Sequence, residues 1–178
     1  MGRRKDPFLP DPGERYSKSQ VRKAGRTLRE YYFRPELDEL ETDEEKTAYV
    51  DKALRAMRVL TWWRVEHAKP LSRTSAGLRH HVLSEGTLVD GRADVSQRLK
   101  RIPTIIDKLE REPTMQLSTM SDIGGARVRV ADLRSIAAVR RRLKKNDWKI
   151  ERVRDYIEHP KESGYRALHL IVNKDGRM

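Results

Sequence analysis

The sequence predicts an α+β fold, with a helical N-terminal part in front of a core of strands and helices. Two observations support this prediction. The first half of the chain carries apolar residues at three- to four-residue spacing, whereas the second half alternates between period-two and helical patterns. The predicted order is helices first and then β-α-β-α-β-β, which is typical of an α+β domain.

The N-terminal part begins with a polar segment and a first helix. Residues 1–16 are broken by prolines and are predicted to form a flexible basic arm. Ser17 and Gln20 have the spacing of a capping box, so a helix is predicted to begin there and to end at Pro35. The helical region is predicted to extend over residues 17–90.

Two further helices complete this region. Thr42 and Glu45 form a second capping-box pattern, and the helix that follows is predicted to run until Pro70 stops it. A third, short helix is predicted at 75–84.

The core is predicted to occupy residues 91–178. Its strands are expected at 95–99, 126–130, 148–153 and 167–172. Pro103 is placed at the start of one helix and Asp132 is expected to cap another. The apolar residues expected on the core side of that second helix are Leu133, Ile136, Val139 and Leu143.

Composition restricts the classes of function. The chain has no cysteine, which excludes disulfides and thiolate metal sites, and it has no run of about 18 apolar residues. A cytoplasmic protein without membrane association is therefore predicted. The formal net charge of +12 indicates a polyanionic ligand such as nucleotide phosphates, RNA or DNA. Histidines 67, 80 and 81 form no closed ligand set, so packing or surface roles are favoured over a metal site.

A first cluster of candidate site residues combines cations with the start of a helix. It comprises Arg98, Lys100, Thr104, Lys108 and Arg111. The last three have helical spacing on nearly one face, and the proline at the helix start leaves backbone N–H groups directed at the same place. This pattern is typical of a phosphate site, although a solvated basic helix face has the same pattern.

A second cluster lies at the entrance of a predicted strand. Asp122 stands beside Gly124, Gly125 and Arg127. A carboxylate next to glycines, which permit close backbone approach, suits a Mg²⁺ ligand that serves a nucleoside triphosphate. An aspartate near glycines is also common in a plain turn.

A third cluster surrounds a Pro-Lys-x-x-Gly-Tyr turn that leads into a hydrophobic strand. Its candidate residues are Arg154, Lys161, Tyr165 and His169. Tyr165 can stack on a base while the lysine and arginine hold phosphates, so a phosphorylated, base-bearing ligand is indicated. The alternative is that the tyrosine is an ordinary core residue.

Together the three clusters resemble the synthetase domain of the RelA/SpoT family, which includes the small alarmone synthetases. The matching segments read RLKRIPTIIDKLER, DIGGARV and DYIEHPKESGYRALHLIV, and the third is highly specific. The resemblance implies a nucleotidyltransferase-like core with a mixed β-sheet. The implied reaction transfers pyrophosphate from ATP to the 3′-hydroxyl of GDP or GTP, or modifies the 3′ end of tRNA in the toxic branch of the family.

The resemblance also implies roles for individual residues. Those implied to contact ATP are Arg98, Lys100, Thr104, Lys108 and Arg127. Those implied to contact the acceptor are Arg154, Lys161, Tyr165 and His169. Asp122 is implied to bind Mg²⁺, the expected cofactor.

In one respect the sequence departs from the family. Family members continue into a strand of the type E-x-Q-x-R-T, whose glutamate is implied to bind a metal or activate the acceptor, whereas this sequence stops at Met178. A truncated and catalytically impaired synthetase is therefore expected. The strand at 167–172 is expected to keep an open edge that pairs with a second copy or with a full-length relative. Such a partner could be antagonised, as in a toxin–antitoxin or phage-defence system.

Two alternatives stay open. In the first, the chain is a fragment of an active alarmone or tRNA-modifying synthetase. In the second, it is a basic RNA-binding module, which the net charge alone supports.

Overall fold

The computed structural model describes residues 6–33, 40–84, 86–88, 92–146, 148–174 and 176–177. The helices are α1 (Lys18–Phe33), α2 (Asp43–Glu66), α3 (Ala68–Leu83), α4 (Ile102–Arg111) and α5 (Leu133–Lys145). The strands are β1 (Ala93–Leu99), β2 (Gly124–Val130), β3 (Ile150–Asp155) and β4 (Leu168–Val172), and a 3₁₀ turn covers Leu117–Thr119. This order confirms the α+β fold and the predicted alternation of strands and helices.

The chain groups into two compact units that interleave along the sequence. Unit 1 comprises Met1–His67 and Leu99–Ile123, and unit 2 comprises Ala68–Arg98 and Gly124–Met178. The sequence predicts a different division, into a helical region up to residue 90 and a core from residue 91. That division stays a prediction. Residues 1–5 of the expected arm and Pro35 lie outside the described residues.

Both predicted capping boxes are present. The backbone N–H of Gln20 donates to Oγ of Ser17, and the N–H of Ser17 donates to Oε1 of Gln20, at 3.2 and 2.8 Å. Thr42 and Glu45 exchange the same pair of hydrogen bonds at the start of α2. Each exchange supplies partners for N–H groups that a helix start leaves without one.

The predicted role of Pro70 as the end of α2 is wrong. That helix ends at Glu66, and α3 begins at Ala68, so Pro70 lies in the first turn of α3. Proline is tolerated there because the N–H groups of the first turn have no intrahelical partner. The third helix is accordingly longer than the predicted 75–84.

The core of unit 1 lies between α1, α2 and α4. Leu28, Leu60 and Leu109 contribute fully buried side chains from these three helices. Gly25 allows α1 to approach the 3₁₀ turn closely, since a Cβ added there would lie 2.7 Å from Cβ of Leu117. Helix α4, which carries candidate site residues, is thus packed directly on the N-terminal helices.

Unit 2 combines two helices with two pairs of strands. Buried side chains from α3 and α5, Leu78, Val82 and Leu143, are surrounded by partly buried residues of β1, β2 and β4. In the described residues β1 is hydrogen-bonded to β2, and β3 pairs antiparallel with β4. The pairing sets Arg154 opposite His169.

Helix α5 begins as predicted but places one residue differently. Oδ1 of Asp132 accepts a hydrogen bond from the N–H of Ser135 at 2.7 Å, which is the expected cap. Leu133, expected on the core side, is 61% exposed. Ser135, two positions further and about 200° around the helix, is buried instead.

The histidines considered for a metal site make packing contacts. His67 is buried, and its Nδ1 lies 2.7 Å from the carbonyl oxygen of Trp63. The rings of His80 and His81 pack edge to face, and His81 packs likewise against Trp148. Within the described residues, no helix is both long and apolar enough to span a membrane.

Candidate functional site

Two lysines and one aspartate of unit 1 form a compact ionic cluster. Nζ of Lys100 lies 3.1 Å from Oδ2 of Asp122, and Nζ of Lys108 lies 3.0 Å from Oδ1. Each carboxylate oxygen therefore accepts a hydrogen bond from a different ammonium group. The lysine side chains are 14% and 16% exposed, whereas the aspartate side chain is 45% exposed. Two positive charges and one negative charge leave the cluster with a net charge of +1.

Backbone contacts hold the three segments of this cluster in place. The N–H of Lys100, just after β1, donates to the carbonyl of Ile123, just before β2, at 2.8 Å. The carbonyl of Lys100 accepts a hydrogen bond from Nε of Arg64 on α2, also at 2.8 Å. Lys108 lies on α4, whose apolar face is buried in the core of unit 1. The cluster therefore rests on the N-terminal helical layer.

The ammonium groups control the ionisation of the carboxylate. Burial acts to raise the pKa of Asp122, but hydrogen bonds from Lys108 and Lys100, together with their charges, outweigh it. The pKa of Asp122 is therefore lower than its ordinary value. The aspartate is ionised at neutral pH and offers a full negative charge to a cation.

The start of α4 provides backbone N–H donors on the helix that also carries Lys108. Arg101 is the N-cap residue and makes no side-chain capping bond, and Pro103 occupies the first turn. The Arg101 side chain thus leaves the backbone N–H groups at this end uncapped, and such a helix start can bind an anion. Thr104 lies one turn before Lys108, so the two side chains share a face of the helix.

The other two cations expected in this cluster lie on the surface. Arg98 is an exposed residue of β1 and belongs to unit 2. Arg111 is exposed in the last turn of α4, where a cation is stabilised by the helix dipole. The predicted contact of Arg98 with ATP stays a prediction, because Arg98 belongs to unit 2 and the ionic cluster to unit 1.

Asp122 meets the requirements of a Mg²⁺ ligand only in part. Among the described residues, no group of three or more histidine, aspartate or glutamate side chains is arranged to hold a metal ion. Mg²⁺ is, however, commonly bound by one or two carboxylates plus substrate phosphates. One ionised, half-exposed carboxylate beside two lysines suits such a shared site, in which the phosphates supply the remaining ligands.

A second cluster lies in unit 2, where two tyrosines and a histidine pack edge to face. Oη of Tyr165 lies 2.9 Å from Nε2 of His169, and the Tyr156 ring lies 5.1 Å from the His169 ring and 6.0 Å from the Tyr165 ring. Nζ of Lys161 lies 4.9 Å from the centre of the Tyr156 ring and 5.8 Å from that of Tyr165. Gly164, with φ of +75°, makes the tight turn that presents these side chains.

The surroundings of His169 favour its neutral form. Burial lowers the pKa of His169, and the charges of Lys161, Arg154 and Arg127 lower it further. The four predicted acceptor-binding residues are therefore gathered on one face of unit 2. Arg127, predicted to contact ATP, lies within electrostatic reach of the same histidine.

Sequence reasoning missed two contributors to these clusters. Tyr156 contacts both Tyr165 and His169, although only Tyr165 was expected to provide a ring. Its place in the DYI segment, at the end of a strand, was the available signal. Arg64 carries no such signal, because its contact with Lys100 spans 36 residues of sequence.

The second half of the chain is similar to known proteins. Residues 97–178 match the family described as a region found in RelA/SpoT proteins. The chain is 37% identical over 81 residues to GTP pyrophosphokinase YjbM of Bacillus subtilis (strain 168), covering 44% of this chain and 38% of that protein. It is also 37% identical over 81 residues to GTP pyrophosphokinase YwaC of the same strain, covering 42% of this chain and 39% of that protein.

The matched part contains both clusters. The chain spans less than half the length of these two relatives, at 38% and 39%. All predicted site residues, from Arg98 to His169, fall within the matched residues 97–178. Residues 97–178 of this chain are therefore similar to the RelA/SpoT region and to these two relatives.

Proposed function

We propose that this chain is a small alarmone synthetase that takes pyrophosphate from ATP and transfers it to the 3′-hydroxyl of GDP or GTP. The observation that carries this proposal is the pair of largely buried lysines on Asp122 beside an uncapped helix start. Two relatives that carry the name GTP pyrophosphokinase support it. In the reaction a bond forms between the acceptor oxygen and the β-phosphorus of ATP, and AMP leaves.

The ATP phosphates are assigned to the ionic cluster of unit 1. Lys100 and Lys108 neutralise phosphate charge, and Thr104 with the start of α4 supplies further donors. Arg98 on the phosphates and Arg127 on the adenine stay roles that the family resemblance implies. Because phosphoryl transfer depends mainly on charge neutralisation and alignment, these cations are expected to supply most of the rate enhancement.

Asp122 is the proposed ligand of a Mg²⁺ ion that ATP brings with it. When bound, the ion supplies charge neutralisation between the phosphates. Asp122 is suited to this role because its carboxylate is ionised and half-exposed. The residue itself orients the metal-bound nucleotide relative to the two lysines.

The acceptor nucleotide is assigned to the aromatic cluster of unit 2. The exposed ring of Tyr165 is available for stacking on a base, and Lys161 with Arg154 is placed to hold phosphates. His169 holds the Tyr165 hydroxyl at 2.9 Å and so fixes the ring. Tyr156 packs behind both and limits their movement.

A tRNA 3′ end is the alternative acceptor. Exposed cations on α1, namely Lys18, Arg22 and Lys23, suit an RNA backbone. A nucleotide acceptor would not need them. Their replacement by methionine is therefore expected to reduce transfer to tRNA while leaving transfer to GDP or GTP unchanged.

The direct test is a transfer assay with ATP labelled in the γ-phosphate. The purified chain is incubated with Mg²⁺ and GDP, GTP or tRNA, and the products are separated by thin-layer chromatography. Label on a guanine nucleotide supports the proposal, and label on tRNA supports the alternative acceptor. A different result would indicate a basic RNA-binding module. In that case nucleotides would not raise the melting temperature of the chain, and the chain would bind RNA in a salt-sensitive manner.

We expect transfer by the 178-residue chain to be slow. The acceptor hydroxyl must lose a proton, and Asp155 is the carboxylate of β3 that pairs next to His169, opposite Leu168. Its Oδ1 already accepts hydrogen bonds from the N–H groups of Ile157 and Glu158 at 3.0 and 3.2 Å, and Oδ2 lies 3.8 Å from Nη1 of Arg140. General-base catalysis contributes about 10²–10⁴-fold, so weak label transfer is expected as long as Asp155 keeps these partners.

A binding function through β4 is the second candidate. Within the described residues, β3 and β4 form a two-stranded sheet, and such sheets are marginal without a third strand or a packed layer. The apolar strand Leu168–Val172 is therefore proposed to pair with a second copy or with a full-length relative, which would be antagonised.

Light scattering and pull-down with a co-expressed relative test this binding function. Replacement of Ile171 by lysine places a charge on the strand and should release the partner. A monomer that captures no relative at micromolar concentrations would remove this candidate.

A further inference from the structure

We propose that Lys100 and Lys108 act as an internal lock on Asp122 that a polyphosphate opens, so that metal ion and phosphates enter the cluster together. This inference rests on the proposed function, because it concerns the order of binding at the proposed ATP cluster. It predicts that neither the metal ion alone nor the metal-free phosphate binds well.

The lock follows from how the carboxylate is occupied. Each oxygen of Asp122 holds one ammonium group, at 3.0 and 3.1 Å. Mg²⁺ needs an oxygen at about 2.0–2.1 Å, so it would approach to within a few ångströms of both ammonium groups. The lysine side chains are only 14% and 16% exposed, so solvent screens this repulsion poorly. A divalent cation alone is therefore disfavoured.

A metal-free polyphosphate meets the opposite obstacle. The two lysines donate to Asp122 the hydrogen bonds that phosphate oxygens would take. The carboxylate, which lies between two ammonium groups, also repels the phosphates by its negative charge. Asp122 thus lowers the affinity of the empty cluster for phosphate.

A polyphosphate that carries a metal ion removes both obstacles at once. The ammonium groups of Lys100 and Lys108 leave the carboxylate and bind phosphate oxygens instead. The carboxylate of Asp122 then binds the metal ion in place of the ammonium groups. Every charge keeps a partner, which matters because an unpaired charge is costly in a partly buried site. Coupling between two ligands of this kind typically amounts to 5–150-fold in affinity, and it is reciprocal.

Two substitutions should act in opposite directions on the two ligands. Asp122→Asn is expected to raise the affinity for metal-free tripolyphosphate about 5–150-fold, because the lysines are released and a like charge is removed. Lys108→Met is expected to let Mn²⁺ bind without phosphate, because one oxygen of Asp122 becomes free. If either residue had only a structural role, its substitution would weaken the binding of the ligand instead.

Calorimetry with inorganic tripolyphosphate in EDTA measures the first effect, and electron paramagnetic resonance of free Mn²⁺ measures the second. Asp94→Asn serves as the matched carboxylate control, since Asp94 pairs with Arg129 on the surface of unit 2. Lys144→Met on the exposed face of α5 serves as the lysine control. Both controls should behave as the unsubstituted chain, and Lys100→Met should reproduce the effect of Lys108→Met.

Unchanged or weaker tripolyphosphate binding by Asp122→Asn would overturn the inference. So would phosphate-free Mn²⁺ binding to the unsubstituted chain that matches Lys108→Met. Failure of the proposed function has a different signature, in which the unsubstituted chain does not bind a non-hydrolysable ATP analogue even with Mg²⁺.

Discussion

At the scale of the residue, Asp122 owes its lowered pKa to the two lysines that hold it. Burial alone would raise its pKa, and the hydrogen bonds from Lys108 and Lys100 reverse that effect. The pKa of His169 is lowered by burial and by the charges of nearby cations, and this favours the neutral ring. Residue type, spacing and the family resemblance together predicted Lys100, Lys108, Asp122 and His169 as site residues. They could not predict that Asp122 bonds to Lys100 and Lys108, because those contacts span 22 and 14 residues.

The lowered pKa of Asp122 predicts a pH-dependent stability. Because the unfolded chain takes up the proton first, the contribution of this group is present above its ordinary pKa of 3.8 and is lost as pH falls through the folded pKa. The difference in melting temperature between the unsubstituted chain and Asp122→Asn should be constant near neutral pH and shrink below about pH 4. A difference that does not change with pH would contradict this.

The pKa of His169 should be measurable by NMR titration of its ring. The midpoint is expected below the ordinary value of 6.5, and Lys161→Met should move it upward because a nearby charge is removed. Lys144→Met removes a charge elsewhere and should leave it in place. As pH falls below 6.5 the unfolded chain binds this proton before the folded chain, so stability should decline there. A midpoint at or above 6.5 would show that the cluster does not form as described.

At the scale of the element, helix α4 is fixed at its C-terminal end by an arginine of α1. Nε of Arg29 donates to the carbonyl of Leu109 at 2.6 Å, and Nη2 donates to the carbonyls of Met115 and Glu112 at 2.8 and 3.4 Å. The bond to Leu109 satisfies a carbonyl group in the last turn of α4, and the other two hold the segment that follows the helix. Arg29 and Arg64 thus tie the N-terminal helices to the segments that carry Lys108 and Lys100.

Arg29→Met should therefore destabilise unit 1. Hydrogen bonds to a charged group contribute about 1.5–3 kcal/mol, so the free energy of unfolding should fall by about that amount. Urea denaturation measures the change. Arg26→Met is the matched control, because Arg26 is exposed on the same helix, and it should have little effect. Equal effects of the two substitutions would contradict the capping role.

Gly25→Ala tests the close approach of α1 to the 3₁₀ turn. The added Cβ would lie 2.7 Å from Cβ of Leu117, so overpacking should cost about 1–3 kcal/mol of unfolding free energy. At Gly125 an added Cβ would have no neighbour within 4 Å, so Gly125→Ala should be nearly neutral in the same denaturation experiment. A neutral Gly25→Ala would mean that the helix and turn can separate without cost.

Element order was predictable because apolar periodicity and capping residues act locally. The capping boxes at Ser17 and Thr42 and the cap at Asp132 depend on neighbours within three residues. The predicted role of Pro70 was wrong because a proline can either stop a preceding helix or lie in the first turn of the next one. The exposed position of Leu133 depends on tertiary packing, which periodicity does not contain.

At the scale of the whole molecule, the N-terminal helices gain a role that the sequence did not predict. Helices α1 and α2 form one unit with residues 99–123, so the ionic cluster is built on them although only residues 97–178 match the RelA/SpoT region. The net charge of +12 is consistent with an anionic ligand. The ionic cluster is the place at which we propose that this ligand binds. The proposed binding of ATP is therefore the central claim about the whole chain.

Calorimetric titration with a non-hydrolysable ATP analogue and Mg²⁺ tests that claim most directly. The unsubstituted chain and Lys144→Met should both bind the analogue in a saturable manner. Lys108→Met should bind it at least about tenfold more weakly, because a charge-assisted hydrogen bond to phosphate is lost. Absence of binding to the unsubstituted chain, or equal binding by Lys108→Met, would contradict the account.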